Sequence, residues 1–162
     1  MFCISINHKN TPADVRDRFA FTTKGQRQFT ERLKAEVGGC VVLSTCNRME
    51  IYFTDKYEQV EKLLANDREV PVGLIRRYSM NYEGFQCMLH LCRVACGMDS
   101  MVLGEVEIIH QVKSAYLVAK ELGACDGELN IAFQGALAAA KTVATESDTT
   151  RLPVSVGTLS AR

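Results

Sequence analysis

The stretch VVLSTCNRMEIYF, residues 41–53, sets a polar cluster between two apolar runs. Val41, Val42 and Leu43 form the first run, bounded upstream by Gly38-Gly39. Downstream, Met49, Ile51 and Phe53 alternate with Glu50, Tyr52 and Thr54, the period-2 pattern of a half-buried strand. The two runs are read as strands. Between them Ser44-Thr45-Cys46-Asn47-Arg48 carries a thiol and a guanidinium two residues apart. A cysteine at such a junction is either a small buried residue at a strand end or a nucleophile held out for use.

Working outward, FCISIN reads as a strand ending at His8, and Thr11-Pro12-Ala13-Asp14 as a helix start, with a hydroxyl, an early proline and an acid near the helix N-terminus. Thr23 with Gln26 fits a capping box that opens a helix through Phe29, Leu33 and Val37. A polar helix is expected near residues 56–66, burying Val60, Leu63 and Leu64. Pro71 to Arg77 follows as a short helix and Tyr78 to Asn81 as a short strand.

From residue 84 the pattern becomes helical. Three stripes stand out: Phe85, Met88, Leu89, Cys92, Ala95 and Cys96; Ile108, Ile109, Val112, Ala115, Tyr116 and Ala119; and Leu129, Ala132, Phe133, Ala136, Leu137, Ala140 and Val143. The order β-α-β-β-α-(β) followed by helices predicts an α+β fold, a ferredoxin-like split βαβ sheet with packed C-terminal helices. A last strand-like run, PVSV, occupies residues 153–156.

The chain of 162 residues suffices for one domain that buries about 70% of its unfolded surface. Nineteen basic and nineteen acidic residues cancel, which argues against a module that coats nucleic acid through bulk charge. Local grips remain available at Arg16, Arg18, Lys24, Arg27, Arg32 and Lys34, and at Arg76-Arg77. Seven cysteines without a secretory signal read as reduced thiols in a cytoplasmic protein. No apolar run approaches the ~20 residues of a membrane span.

A thiol of ordinary pKa, about 8.5, is only a few per cent thiolate at neutral pH, so a nucleophilic Cys46 needs help. Arg48 could stabilise the thiolate, or its planar fork could bind a carboxylate in bidentate fashion. The bland alternatives are a core cysteine and a surface arginine paired with Glu50. Cys87 with His90, and Cys92 with Cys96, have helix spacings that suit metal ligands, but no second pair completes a tetrahedral set, and no metal is expected.

STCNR-EIY, the opening Ile6-Asn7-His8-Lys9, and the segment from His90 through Gly97-Met98-Asp99-Ser100-Met101-Val102-Leu103-Gly104-Glu105 to Gln111 closely resemble the N-terminal catalytic domain of the glutamyl-tRNA reductases. The resemblance spans about Ile4 to Val156. It implies that residues 1–156 are this catalytic domain and that 157–162 begin the connection to NADPH-binding and dimerisation domains. It implies a reaction in which Cys46 attacks the ester of glutamyl-tRNA and expels the tRNA. The resulting thioester is then reduced with NADPH to glutamate-1-semialdehyde, the first step of tetrapyrrole (heme) biosynthesis by the five-carbon route.

By the same resemblance His90 assists Cys46 as a second catalytic group. Thr45, Asn47, Arg48, Ser100, Glu105, Val106, Glu107 and Gln111 fall at substrate-contacting positions. By their own chemistry the Arg48 fork suits the γ-carboxylate and the Glu105 carboxylate the α-ammonium group. Implied partners are glutamyl-tRNA and glutamate-1-semialdehyde aminomutase, with a homodimer for the full-length protein and no membrane.

The chain departs from the family pattern in places. Glu-Pro-Gln-Ile-Leu-Gly-Gln is usual where this sequence has Glu105-Val106-Glu107-Ile108-Ile109-His110-Gln111, and Cys96 replaces a serine. The last helix lacks an arginine-rich run before Thr145-Glu146. No G-x-G-x-x-G occurs, so NADPH is expected to bind on a domain absent from this chain. The alternative is a non-catalytic module that keeps the aminoacyl pocket to sense glutamyl-tRNA.

Overall fold

Residues Phe2–Asn7 (β1) and Arg48–Phe53 (β3) run antiparallel at the centre of the sheet, with Cys3 opposite Tyr52, Ser5 opposite Glu50 and Asn7 opposite Arg48. Cys40–Ser44 (β2) pairs with the outer side of β3, and Met80–Glu83 (β4) with that of β1, both antiparallel. The order β2-β3-β1-β4 is that of the ferredoxin-like split βαβ sheet, and the chain is α+β as its pattern predicts. The computed structural model describes residues 1–102 and 106–146. The expected PVSV strand, the connection at 157–162 and Glu105 lie outside the described residues.

One face of the sheet is covered by Thr23–Val37 (α2, after the short Ala13–Asp17, α1) and Tyr57–Arg68 (α3), with Val72–Tyr78 (α4) beside α3. On this face Phe53 meets Tyr57 at a ring separation of 5.5 Å and the Cys40 thiol reaches Thr30. Gly84–Ala95 (α5), Glu107–Glu121 (α6) and Gly127–Glu146 (α7) cover the other face, where Tyr52 packs edge-on against Phe133 of α7 at 5.3 Å. None of the described helices is long and apolar enough to cross a membrane.

Covering both faces overturns one expectation. β3 is buried at every position, Glu50 and Tyr52 included, so its polar alternation marks a buried face and not a solvated one. The first helical stripe is also out of phase. α5 buries Cys87, His90, Leu91, Val94 and Ala95, whereas Phe85 is 76% exposed and Leu89 is exposed too. Both sides of α5 carry apolar residues, and the side that wins is the one whose histidine finds a buried acid across the sheet. Val143, expected in the core, is exposed, and Leu63 is only half-buried while Glu61 goes under, held by the Arg76 guanidinium.

The α2 cap is Thr22, one residue earlier than expected, its hydroxyl accepting from the Gly25 amide at 3.0 Å. Gln26 does not close a capping box; its amide donates to the Val42 carbonyl and ties α2 to β2. Gly39 is required by space, since a Cβ there would collide with the Asp126 carboxylate that caps α7.

Candidate active site

Cys46 sits at the tip of the β2–β3 hairpin. The Thr45 amide donates to the Arg48 carbonyl at 2.8 Å and closes the turn, while the Thr45 hydroxyl accepts from the amides of Asn47 and Arg48, both at 3.2 Å. The tip is tied from outside as well. The His8 amide donates to the Asn47 carbonyl at 3.0 Å, and the Arg16 guanidinium reaches the Cys46 carbonyl at 3.4 Å. What stays free is the thiol. Cys46 is exposed, and burial pushes the thiols of Cys3, Cys40, Cys92, Cys96 and Cys125 up, Cys40 to about 12 and Cys125 to about 11.

A cleft of about 90 Å³ opens beside the thiol. Of the residues expected to contact substrate, Thr45, Asn47, Arg48, Ser100, Glu107 and Gln111 line it together with Cys46. The walls come from the hairpin tip, from the loop after α5 and from the first turns of α6. Val106 is exposed and does not line the cleft, and Glu105 lies outside the described residues.

Arg48 is neither a surface group nor a simple partner of the thiol. Only 3% of it is exposed; one Nη donates to Glu50 Oε1 at 3.0 Å and the other to the Asp99 carbonyl at 2.6 Å. Glu50 is wholly buried and collects four donors: the Ser5 hydroxyl, Arg48 and His90 on Oε1, and the Tyr52 hydroxyl on Oε2. Burial alone would raise its carboxyl, but the His90 hydrogen bond, the charges of His90 and Arg48 and the Tyr52 hydroxyl outweigh it and hold the group at about 2. Glu50 is therefore the anion that keeps a buried guanidinium in place.

His90 lies in this network and not in the Cys46 cleft. Its Nε2 is 2.8 Å from Glu50 Oε1, its Nδ1 is 3.9 Å from Asp99 Oδ2, and its ring stacks on Tyr82 at 4.0 Å. Asp99 is in turn gripped by Lys9 at 2.6 Å and Arg93 at 3.5 Å; burial raises its carboxyl, and these two cations more than reverse the shift. Any help from His90 to Cys46 would run through Glu50 and Arg48.

Ser5, Asn7, Glu50 and Asp99 were missed as site residues. Their signal was faint but real, because Ser5 and Asn7 occupy alternate places on β1 just as Arg48 and Glu50 do on β3.

Two group-binding possibilities can be weighed on chemistry. Ligand atoms of Cys3, Glu50 and His90 come within 4.8 Å of one another. Both Glu50 oxygens are already taken by N–H and O–H donors, one of them a permanent cation, and the Cys3 thiol is pushed up by burial. This set suits a proton-bonded network better than a metal. A dinucleotide does not fit either: β1 to α5 offer no glycine-rich strand-turn-helix cradle of the kind that holds a pyrophosphate.

The family model for the N-terminal domain of glutamyl-tRNA(Glu) reductase matches residues 4–147. Curated relatives include glutamyl-tRNA reductases of Ruthia magnifica, 38% identical over 94% of this chain and 38% of the relative, and of Akkermansia muciniphila, 38% identical over 98% of this chain and 48% of the relative. Among solved structures, glutamyl-tRNA reductase from Methanopyrus kandleri superposes with a TM-score of 0.80 at 30% identity, covering 97% of this chain and 37% of that one. The chain thus spans less than half the length of these relatives, and with the family model matched over residues 4–147 it belongs to the glutamyl-tRNA reductase N-terminal domain family.

Proposed function

We propose that this chain carries out the acyl-transfer half of the glutamyl-tRNA reductase reaction, with Cys46 as nucleophile. The observation that carries the reading is an exposed thiol on a fixed turn, facing a small cleft with Arg48 and Glu107 in its walls. A glutamyl ester presents an anion, the γ-carboxylate, and a cation, the α-ammonium. Arg48 matches the first and Glu107 the second, a role expected of Glu105 from the sequence. Ser100, Gln111 and Asn47 supply neutral hydrogen-bonding groups around the backbone of the substrate.

In the step itself Cys46 Sγ forms a bond to the ester carbonyl carbon. The C–O bond to the ribose breaks, the leaving oxygen takes up the proton that the thiol gave up, and a glutamyl thioester stays on Cys46. No electrons are gained or lost, so the step needs no reductant. Arg48, fixed by Glu50 and the Asp99 carbonyl, would select glutamyl over glutaminyl esters, because an amide offers one acceptor and one misplaced donor where the guanidinium requires two acceptors. His90 acts as a positioning group through Glu50.

Reduction of the thioester to glutamate-1-semialdehyde, at the entry to tetrapyrrole synthesis, would take a hydride from NADPH held outside this chain. Transfer of the aldehyde to glutamate-1-semialdehyde aminomutase, and a homodimer, belong to the same reading of a full-length enzyme.

Intact mass after mixing with glutamyl-tRNA tests the proposal. A glutamyl adduct on the native protein and none on Cys46→Ser is the expected result. Absence of both adduct and Cys46-dependent deacylation, with folded protein, would sink it and favour a module that only binds the aminoacyl end.

A further inference from the structure

Arg48 is the wall between two cavities. On one side is the Cys46 cleft of about 90 Å³, and on the other a recess of about 240 Å³ that shares Arg48 and is lined in addition by Lys9, Tyr82, Gln86, Leu89, Arg93 and Asp99. The two also meet at consecutive residues, since Asp99 lines the larger and Ser100 the smaller. Apart from Arg48, none of the larger recess is needed for the acyl group as assigned above, which leaves its chemistry to be explained.

That chemistry is mixed in a particular way. Lys9 and Arg93 face a single carboxylate, Asp99, while the charge of Arg48 is already matched by buried Glu50, so the recess keeps one uncompensated positive charge. Tyr82 and Leu89 supply apolar wall, and Gln86 an amide that can donate and accept side by side. Phe85 does not line the recess itself but stands one helical turn before Leu89 on α5 and is 76% exposed, a large aromatic surface left beside Leu89. Exposed aromatic surface next to basic side chains is how proteins hold single nucleotides, through base stacking and phosphate pairing. A paired amide such as that of Gln86 suits the edge of an adenine.

The acyl donor must put its leaving half somewhere. A cleft of about 90 Å³ holds the glutamyl group but not a ribose and base, and the adjoining recess falls just short of the ~300–1,000 Å³ of drug-sized pockets, a size suited to one nucleotide and not to several.

We propose that the recess beyond Arg48 binds the terminal nucleotide of the acyl donor, a nucleoside monophosphate, with phosphate at Lys9 and Arg93, ribose hydroxyl at Asp99, and base against Leu89 and Phe85. The proposal rests on the acyl-transfer reading above and gives its substrate a second point of attachment. The charge of Asp99, which occupies both cations when the recess is empty, makes phosphate entry an exchange of partners and not a new burial of charge.

Two measurements on the 162-residue chain test it. The first is titration with adenosine 5′-monophosphate followed by backbone amide NMR. Saturable shifts confined to β4, α5 and the residues around Lys9 and Asp99 are expected; no shifts, or the same shifts with inorganic phosphate at equal concentration, would overturn the nucleotide site. The second compares the acylation of Cys46 by the 3′-glutamyl ester of that nucleotide with acylation by glutamate α-ethyl ester. In Phe85→Ala and in Arg93→Ala the ratio of the two rates should fall about tenfold, the scale of a lost stacking or phosphate contact. An unchanged ratio in both variants would overturn the proposal. Saturable nucleotide shifts with no adduct from either donor would instead overturn acyl transfer and leave the site standing. Adducts from both donors without nucleotide shifts would do the reverse.

Discussion

The two faces of β3 do different work with the same backbone. Met49, Ile51 and Phe53 share the face on which Phe53 meets Tyr57 of α3, and all three are apolar. Arg48, Glu50 and Tyr52 share the other, where they bond to one another, to Ser5 on β1, to His90 on α5 and to the Asp99 carbonyl. Both faces are equally dry. The apolar face is tolerant, because burial is non-directional and scales with area. The polar face is exacting, because a buried charge is stable only while its partner stays in place. Stability rests on both faces, but the orientation of the cleft rests on one.

Glu50→Gln should break the contrast most strongly. It leaves Arg48 buried beside a neutral amide, at a cost of about 3–5 kcal/mol in urea unfolding. It should also depress acylation of Cys46, because the guanidinium that lines the cleft then loses its charged anchor and keeps only the Asp99 carbonyl. Full stability in this variant would mean that Arg48 leans on the Asp99 carbonyl alone.

Acid should erase that difference. The Glu50 carboxyl lies at about 2 in the folded protein against an ordinary value of 4.5, so its stabilisation is complete above that ordinary value and is lost as pH falls toward 2. The gap in urea midpoint between native protein and Glu50→Gln should be widest near pH 7 and close steadily below pH 4.5. A gap that persisted at pH 2 would show that the carboxylate charge was not its source.

On the apolar face Ile51→Val should cost only about 0.5–1.5 kcal/mol and leave the acylation rate near native, although residue 51 adjoins residue 50. A large loss of acylation would mean that the two faces are coupled through the backbone. Smallest of all, Cys46→Ser should shift stability by no more than about 0.5 kcal/mol, since the side chain is exposed, while it removes the fast phase of alkylation by iodoacetamide. If the fast phase survived, another thiol would be the accessible one.

What the sequence made legible was whatever local pattern decides. The strand pair around Cys46 and the sheet order implied by β-α-β-β-α-β follow from periodicity and spacing, and so do the three long C-terminal helices. The cleft residues came from resemblance, and their convergence on one small space depends on loops that no period describes. The polar face was misread because its partners are distant: Ser5 is 45 residues from Glu50, and His90 is 40. An alternating acid looks solvated until the histidine that covers it is known. The same histidine reversed the phase of α5, whose two apolar sides are nearly balanced in sequence. Thr22 and Thr23 offer identical caps, and the choice between them was made by Val42, which draws Gln26 away from the helix end.

The doubly tethered hairpin tip bears on how the thiol meets its target. With the carbonyls of Cys46 and Asn47 held from α1 and from the end of β1, and the Thr45 hydroxyl across the turn, the main chain at residue 46 has little left to search. The sulfur moves chiefly by rotation about one side-chain bond, among three staggered positions. Most of the orientational entropy of the encounter has thus been surrendered at folding, and it falls to the incoming ester to find the angle of attack.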